Sequence, residues 1–343
     1  MKLTLDDYVS KEYLSPTVGS IVDIQQSDGS IPWVLGGIID TWTHVESAMA
    51  LDVGNFHDEA QRAYEWLSGI QLEDGSWYAS YKDGKPLETH KVSHSISYIA
   101  VGVWHHYLST GDSPFLQKMW PSVRSAIDFV LGMTGPNGEI YWARDSAGAI
   151  YATALISSCS STYLSIKSAL SMASVLGEER SEWKEANATL ARVLQKMPYL
   201  FASPKESENT FAMDWYYPAM CCVVNGIDAK RRLSSGWDKF VIDGFGCLCS
   251  LEQGWVTAAE TSELAISLAV QGEYKDSAKV YNWIHRLRDD DGAYFYGISL
   301  PTKEIWPEEK PTWTSAAVAL AADMLRPMSP TSLLLDHHGL VTP

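Results

Sequence analysis

Between residues 39 and 51 the sequence crowds Asp40, Trp42, His44 and Glu46 into seven positions at the mouth of a helical pattern. An acid, an indole, an imidazole and a second acid exceed what packing asks of a helix start. Carboxylates also serve as N-caps and answer the positive end of the helix dipole, so Asp40 taken alone has a purely structural reading. With Trp42 and His44 beside it, the group fits the mouth of a carbohydrate or polyol site, where aromatic planes meet sugar faces and carboxylates meet hydroxyls.

Acid and aromatic residues meet again further along. Residues 88–94 hold Glu88, His90 and His94, and residues 142–145 hold Trp142, Arg144 and Asp145. Asp214 is followed directly by Trp215, Tyr216 and Tyr217. Trp255 precedes Glu260 and Glu263, and residues 306–313 run from Trp306 through Glu308 and Glu309 to Trp313. Glycosidic hydrolysis needs one carboxylic acid to protonate the leaving oxygen and a second carboxylate to activate water or attack carbon. Glu260 is the expected general acid: it lies at a small, apolar helix start, where partial burial would raise its pKa. Asp40 is the expected base, because it precedes a helix whose amides would hold it ionised. Asp214 is its rival, and would otherwise bind a sugar hydroxyl. Glu46, His44, His90 and Arg144 suit hydroxyl or anion contacts, and Trp42, Trp215, Tyr216, Tyr217, Trp255 and Trp313 supply sugar-facing planes. Each has a plainer reading as a satisfied packing or surface residue. Glu308 and Glu309, after a proline-containing loop, read as solvated.

Composition narrows the alternatives. Fourteen Trp and seventeen Tyr stand against eight Phe, a bias towards aromatics with a polar handle, as in wet clefts and as spacers between helices. The net charge of −16 argues against nucleic acid or an anionic membrane as partner. No apolar run reaches the roughly 18 residues of a membrane span, and the first residues open no signal peptide, so a cytoplasmic protein is expected. Five cysteines without zinc-knuckle spacing read as buried thiols. The pairs His105-His106 and His337-His338 are adjacent, and adjacent residues diverge on a helix, so they read as poor metal ligands. HExxH, a P-loop and a strand-linked GxGxxG are missing from the sequence, and Ser158, Ser160 and Ser161 have no nucleophile-elbow context. Neither metal nor cofactor is expected.

One turn recurs: Gln25-Gln26-Ser27-Asp28-Gly29-Ser30, Gln71-Leu72-Glu73-Asp74-Gly75-Ser76-Trp77, and weaker copies around Asn137-Gly138 and Asp291-Gly292. Gly accepts the positive φ that such turns need. Each copy closes a helical pattern and precedes a short aromatic extended piece. Helical periodicity pairs 41–53 with 57–71, 93–110 with 114–133, 158–176 with 181–199 and 256–271 with 273–288; a less clear pair spans 213–240, and 313–327 needs a partner, expected at 5–14. Segments opening at 41, 95, 158, 256 and 313 are rich in Ser, Thr and Ala, as crowded inner helices should be, while those at 57, 114, 181 and 273 carry a solvated, charged rim. The expectation is an all-α, (α/α)6 barrel, one toroid domain over residues 1–343, with function where loops enter the inner helices.

The Gln-x-x-Asp-Gly-Ser-Trp turn resembles the repeat of the squalene cyclase and protein prenyltransferase superfamily, a group of α/α toroids, and that resemblance implies fold alone. The cyclases' DxDD motif has no match, since Asp289-Asp290-Asp291 sits in a turn without its apolar context, and the prenyltransferases' zinc set has no clear match either. The wider constellation (Trp42-x-His44-x-Glu46, Met213-Asp214-Trp215-Tyr216-Tyr217-Pro218, Trp255-Val256-Thr257-x-x-Glu260) resembles bacterial proteins labelled prenyltransferase-like. It is also similar in layout to inverting (α/α)6 glycoside hydrolases, among them cytoplasmic endo-α-mannosidases of methylated mannose polysaccharides. That similarity implies the pair Asp40 and Glu260. Three functions follow: an inverting hydrolase of an α-linked mannan or glucan, a terpene or prenyl-chain enzyme, and a non-catalytic oligosaccharide-binding toroid. The partner expected is an oligosaccharide or polysaccharide; the oligomeric state is unknown.

Overall fold

The computed structural model describes residues 4–201, 211–335 and 340. Its helices are α1 (Leu5–Tyr8), α2 (Lys11–Ile24), α3 (Thr41–Val53), α4 (His57–Gly69), α5 (Ser93–Ser97), α6 (Ile99–Thr110), α7 (Ser113–Leu131), α8 (Ile156–Leu176), α9 (Ser181–Lys196), α10 (Ala212–Met220), α11 (Gly226–Phe240), α12 (Ala258–Val270), α13 (Tyr274–Tyr281), α14 (Thr312–Leu325) and α15 (Thr331–Leu335). Helices α3, α5 with α6, α8, α10, α12 and α14 form an inner ring that closes where α14 packs against both α12 and α3. Helices α2, α4, α7, α9, α11 and α13 surround it, giving the expected (α/α)6 barrel.

Side-chain chemistry sorts the two rings. In α14, whose sequence is Ala-rich, almost every residue is buried, so it presses on neighbours all round; α11 buries only Ala229, Leu233, Gly236 and Phe240, one stripe of an otherwise charged helix. Buried serines in α8 return their hydroxyls to carbonyls one turn back, as Ser165 does to Ser161 at 2.9 Å and Ser168 to Leu164 at 3.0 Å, which lets small polar residues line a close helix contact without orphaned groups.

The outer partner of α14 is α2, not a helix over 5–14. Ser10 caps α2 by accepting the Tyr13 N–H, so that segment is divided at Ser10 between α1 and α2. The expected helix 93–110 is broken at Tyr98, while the pair expected over 213–240 is present as α10 and α11, parted by the turn at residues 221–225. His337 and His338 lie outside the described residues.

The recurrent turns act as clasps. Gln25 Nε2 donates to Gly29 O of its own turn and to Glu59 O of α4; Gln71 Nε2 does the same to Gly75 O and to Ser122 O of α7. Each turn thus ties one outer helix to the next. Gly75, at φ +86°, lies so close to α7 that a Cβ would stand 2.3 Å from Ser125 O. The turn at Gly292 closes the circle: Thr17 of α2 donates to Gly292 O at 2.8 Å.

Short antiparallel strands, which helical periodicity did not reveal, lead into the inner helices. A five-stranded sheet in the order Glu304–Ile305, Gly297–Ser299, Trp255–Thr257, Gly246–Leu248, Val241–Ile242 delivers α12, and Lys91–Val92 runs straight into α5. The inner helices therefore begin together at one end of the barrel, on a rim stiffened by ladders.

Candidate active site

Asp40 is the N-cap of α3. Its Oδ1 accepts the Thr43 N–H at 2.9 Å, and its Oδ2 accepts both the Thr43 hydroxyl at 2.5 Å and the Trp33 indole N–H at 2.6 Å. A carboxylate offers about four lone-pair sites, so Oδ2 is filled while Oδ1 keeps one for a water. Trp33 was not singled out in the sequence, yet it fixes the orientation of this group.

Glu260 stands in the first turn of α12, beside its cap Thr257. The Thr257 hydroxyl donates to Glu260 Oε2, and the Cys249 thiol hydrogen-bonds the same carboxyl. Helix α14 lies between α3 and α12, so the two acids open inner helices separated by one neighbour. Tyr296 bridges them electrostatically: burial pushes its hydroxyl up, and the charges of Glu260, Glu309 and Asp40 add to that. Around Tyr296 runs an aromatic series, with Trp255 at 4.7 Å, Trp313 edge-on at 4.9 Å, and Trp33 beyond Trp313 at 6.2 Å. The Trp313 indole N–H is buried and has no partner among the described residues. Next to Trp255 a groove of about 730 Å³ is lined by Tyr296, Ile305, Trp306 and Pro307.

Deeper in the barrel lie two more acids. Glu46, on α3, is pushed well up by burial and then by the charges of Glu263, Asp40 and Glu260. Glu263, one turn past Glu260, receives the hydroxyls of Tyr216 and Tyr217, the latter at 2.6 Å. Burial raises Glu263 to about 7 against the opposing effect of those two hydrogen bonds. Trp42 stacks on Tyr98 at 3.8 Å and meets His94 edge-on at 5.4 Å. His94, which burial depresses to about 4, is held by Ser158 at 3.0 Å. Glu263, Tyr98 and His94 were not picked out as site residues; the i, i+3 spacing of Glu260 and Glu263 was the available signal.

Several expected contacts are engaged elsewhere. His44 is fully buried between α3 and α4: its Nδ1 faces the Ile31 N–H at 3.2 Å and its Nε2 faces Ala63 O at 2.9 Å, so both nitrogens are spent inside the fold. Trp215 donates to Arg232 O of α11 and stacks on Phe240 at 5.4 Å, which points it at the outer ring. Arg144 lies over the Phe129 ring of α7 at 5.1 Å. Tyr216 and Tyr217 face inward but are occupied by Glu263. Asp214 binds the Ser157 amide at 3.2 Å and hydroxyl at 2.7 Å, tying α10 to the start of α8. His90 remains on the rim, edge-on to Trp142 at 6.0 Å. His105 and His106, adjacent on α6, both turn their Nδ1 atoms towards Asp52, at 3.6 and 2.9 Å.

No protein-family model matches the chain. It is 38% identical over 322 residues to an MMP endo-(1,4)-3-O-methyl-α-D-mannosidase of Mycolicibacterium hassiacum, across 94% of this chain and 88% of that one. The chain belongs to that endo-mannosidase's glycoside hydrolase family. A second relative, an uncharacterized glycosyl hydrolase of Methanocaldococcus jannaschii, is 26% identical over 166 residues, 48% of this chain and 26% of that one. Among solved structures, a glycosidase variant in complex with glucose superposes with a TM-score of 0.72 at 14% identity, over 92% of this chain and 96% of that one. A D-mannose isomerase gives 0.70 at 10% identity, over 92% and 98%. These distant likenesses carry the barrel alone. The resemblance to prenyltransferase-like proteins gains no support from the relatives, and Lys310 pairs with Asp289 at 2.6 Å and with Asp291, so the acidic run is a clasped turn. For a member of the endo-mannosidase family, the polar floor made by Glu46 and Glu263 also contrasts with the apolar pocket that a terpene chain requires. Among the described residues, no helix is long and apolar enough to cross a membrane.

Proposed function

We propose that the protein hydrolyses internal α-linkages of a mannose polymer, of the 3-O-methylated kind named for its relative, with inversion at the anomeric carbon. Glu260 protonates the glycosidic oxygen as the bond to the anomeric carbon breaks. Asp40 takes the proton of a water held at its open Oδ1 lone pair, and that water attacks from the opposite face. Trp313, Trp255 and Trp42 contribute planes, and His90 sits at the rim. The observation that carries this reading is the placement of two carboxylates at the starts of inner helices α3 and α12, both acting on Tyr296 beside one aromatic-lined groove. Cys159, Cys221 and Cys247, buried as free thiols, support a cytoplasmic location.

The test is Glu260→Gln. Loss of the proton donor should lower kcat by roughly 10²–10⁴-fold while oligosaccharide affinity stays within a few-fold. Unchanged turnover overturns the assignment. Asp40→Asn should be equally damaging; if Asp214→Asn abolishes turnover and Asp40→Asn does not, the base is Asp214. Proton NMR of the first product formed should show the β-anomer, and an initial α-anomer removes inversion.

A further inference from the structure

At the end of α3 remote from Asp40, about 18 Å away along the helix axis, Asp52 is fully buried among three imidazoles. His57 Nδ1 lies 2.8 Å from Asp52 Oδ1, and His106 Nδ1 lies 2.9 Å from the same oxygen and 3.1 Å from Oδ2. His105 Nδ1 stands 3.6 Å from Oδ2, beyond hydrogen-bond reach, and this buried nitrogen has no hydrogen-bond partner among the described residues. Its other nitrogen is anchored by Thr331 of α15 at 2.8 Å. Burial alone would push the Asp52 carboxyl up; the three imidazoles outweigh it and hold the group well below the usual carboxylate range.

We propose that Asp52, His57 and His106 form a binding site for a divalent transition metal, with zinc the best fit. One oxygen of Asp52 and the Nδ1 atoms of His57 and His106 all lie within 4.8 Å of one another. Tetrahedral zinc with bonds of about 2.0–2.1 Å separates its ligand atoms by about 3.3 Å, so the two Asp52–imidazole contacts need to open by about half an ångström. Two imidazoles and one carboxylate suit zinc and disfavour magnesium or calcium, which take oxygen. With the metal on one carboxylate oxygen, the orphaned His105 Nδ1–H closes on the other and orients it, as outer partners of metal ligands do. The His57 side chain is 35% exposed, which provides the entry route and a position for a water as fourth ligand. The ion would pin the end of α3, the start of α4 and the middle of α6, so its expected effect is on stability.

The experiment is a titration of the chelator-treated, full-length protein with zinc chloride, followed by isothermal calorimetry and thermal unfolding, with cobalt chloride as a spectroscopic probe. One zinc per chain, a rise in Tm of at least about 2 °C at saturation and the visible bands of tetrahedral cobalt are expected. His57→Ala removes a partly exposed ligand at a helix start and should weaken zinc binding by at least about 100-fold. Absence of stoichiometric zinc uptake by the wild-type chain at millimolar metal overturns the proposal, as does undiminished binding by His57→Ala. Glu260→Gln should bind zinc like the wild type, so this result stands apart from the hydrolase assignment.

Discussion

Glu263 is held by two tyrosine hydroxyls inside the barrel, and its raised pKa makes stability depend on pH. The folded chain keeps this proton up to about pH 7, whereas an unfolded glutamate releases it near its ordinary value. Between those limits the native state binds more protons, so the contribution of Glu263 falls as pH rises through that window and levels off above it. Glu263→Gln removes the titration and keeps an acceptor for the tyrosines. Its Tm should lie near that of the wild type at pH 5 and above it at pH 8; a pH-independent difference between the two proteins would refute the raised value. Glu260 makes a separate prediction. If its role is proton donation, a substrate whose leaving group needs no proton, such as a dinitrophenyl glycoside, should recover most of the turnover lost in Glu260→Gln, with kcat as the readout. At this scale the sequence revealed residue types and not their directions. Asp40 and Glu260 stood out because carboxylates open their helices. His44 and Trp215 stood out equally, yet each points to the outer ring, and a residue's rotation about its helix axis is not written in its neighbours' identities.

Among the elements, the Gln-x-x-Asp-Gly-Ser turn was the clearest signal, because a donor side chain, an Asx cap and a positive-φ glycine recur at fixed offsets. The structure gives that spacing its reason: Asp74 Oδ1 accepts the Ser76 amide at 3.2 Å and hydroxyl at 2.5 Å while Gln71 reaches α7. Gly75→Ala should destabilise the fold by about 2–3 kcal/mol, since it meets both positive-φ strain and the carbonyl of Ser125. Gly84→Ala provides the control: it shares the positive φ but a Cβ there meets no atom within 4 Å, so it should cost only about 1 kcal/mol, both read from urea midpoints. Helix pairs were legible from periodicity, and ring closure by α2 was not, because Ser10 divides the expected helix. The rim strands were legible only as short extended pieces after the turns, because strands of two to four residues are too short to show alternation.

For the molecule as a whole, the distribution of aromatics along the rim bears on how a polymer lies across the barrel. Trp306, 60% exposed, meets Trp255 edge-on at 5.5 Å on the α12 side of the mouth. On another side, Tyr151 stacks on Trp142 at 5.7 Å, and the Trp142 carbonyl receives the Ser93 amide at the start of α5. On the proposed assignment of Asp40 and Glu260, exposed aromatics on two sides of the rim fit a chain that runs past both acids, as endo cleavage requires. Trp306→Ala and Tyr151→Ala should each raise KM for long oligosaccharides by about tenfold, the loss of about 1.4 kcal/mol of stacking, and leave kcat and Tm near wild type. The same substitutions should leave the shortest cleavable substrate almost unaffected, since it cannot reach either platform. A chain-length series of KM values decides the matter. If only one platform responds, and the products form by release of single units from one end, the polymer stops at the acids and the action is exo.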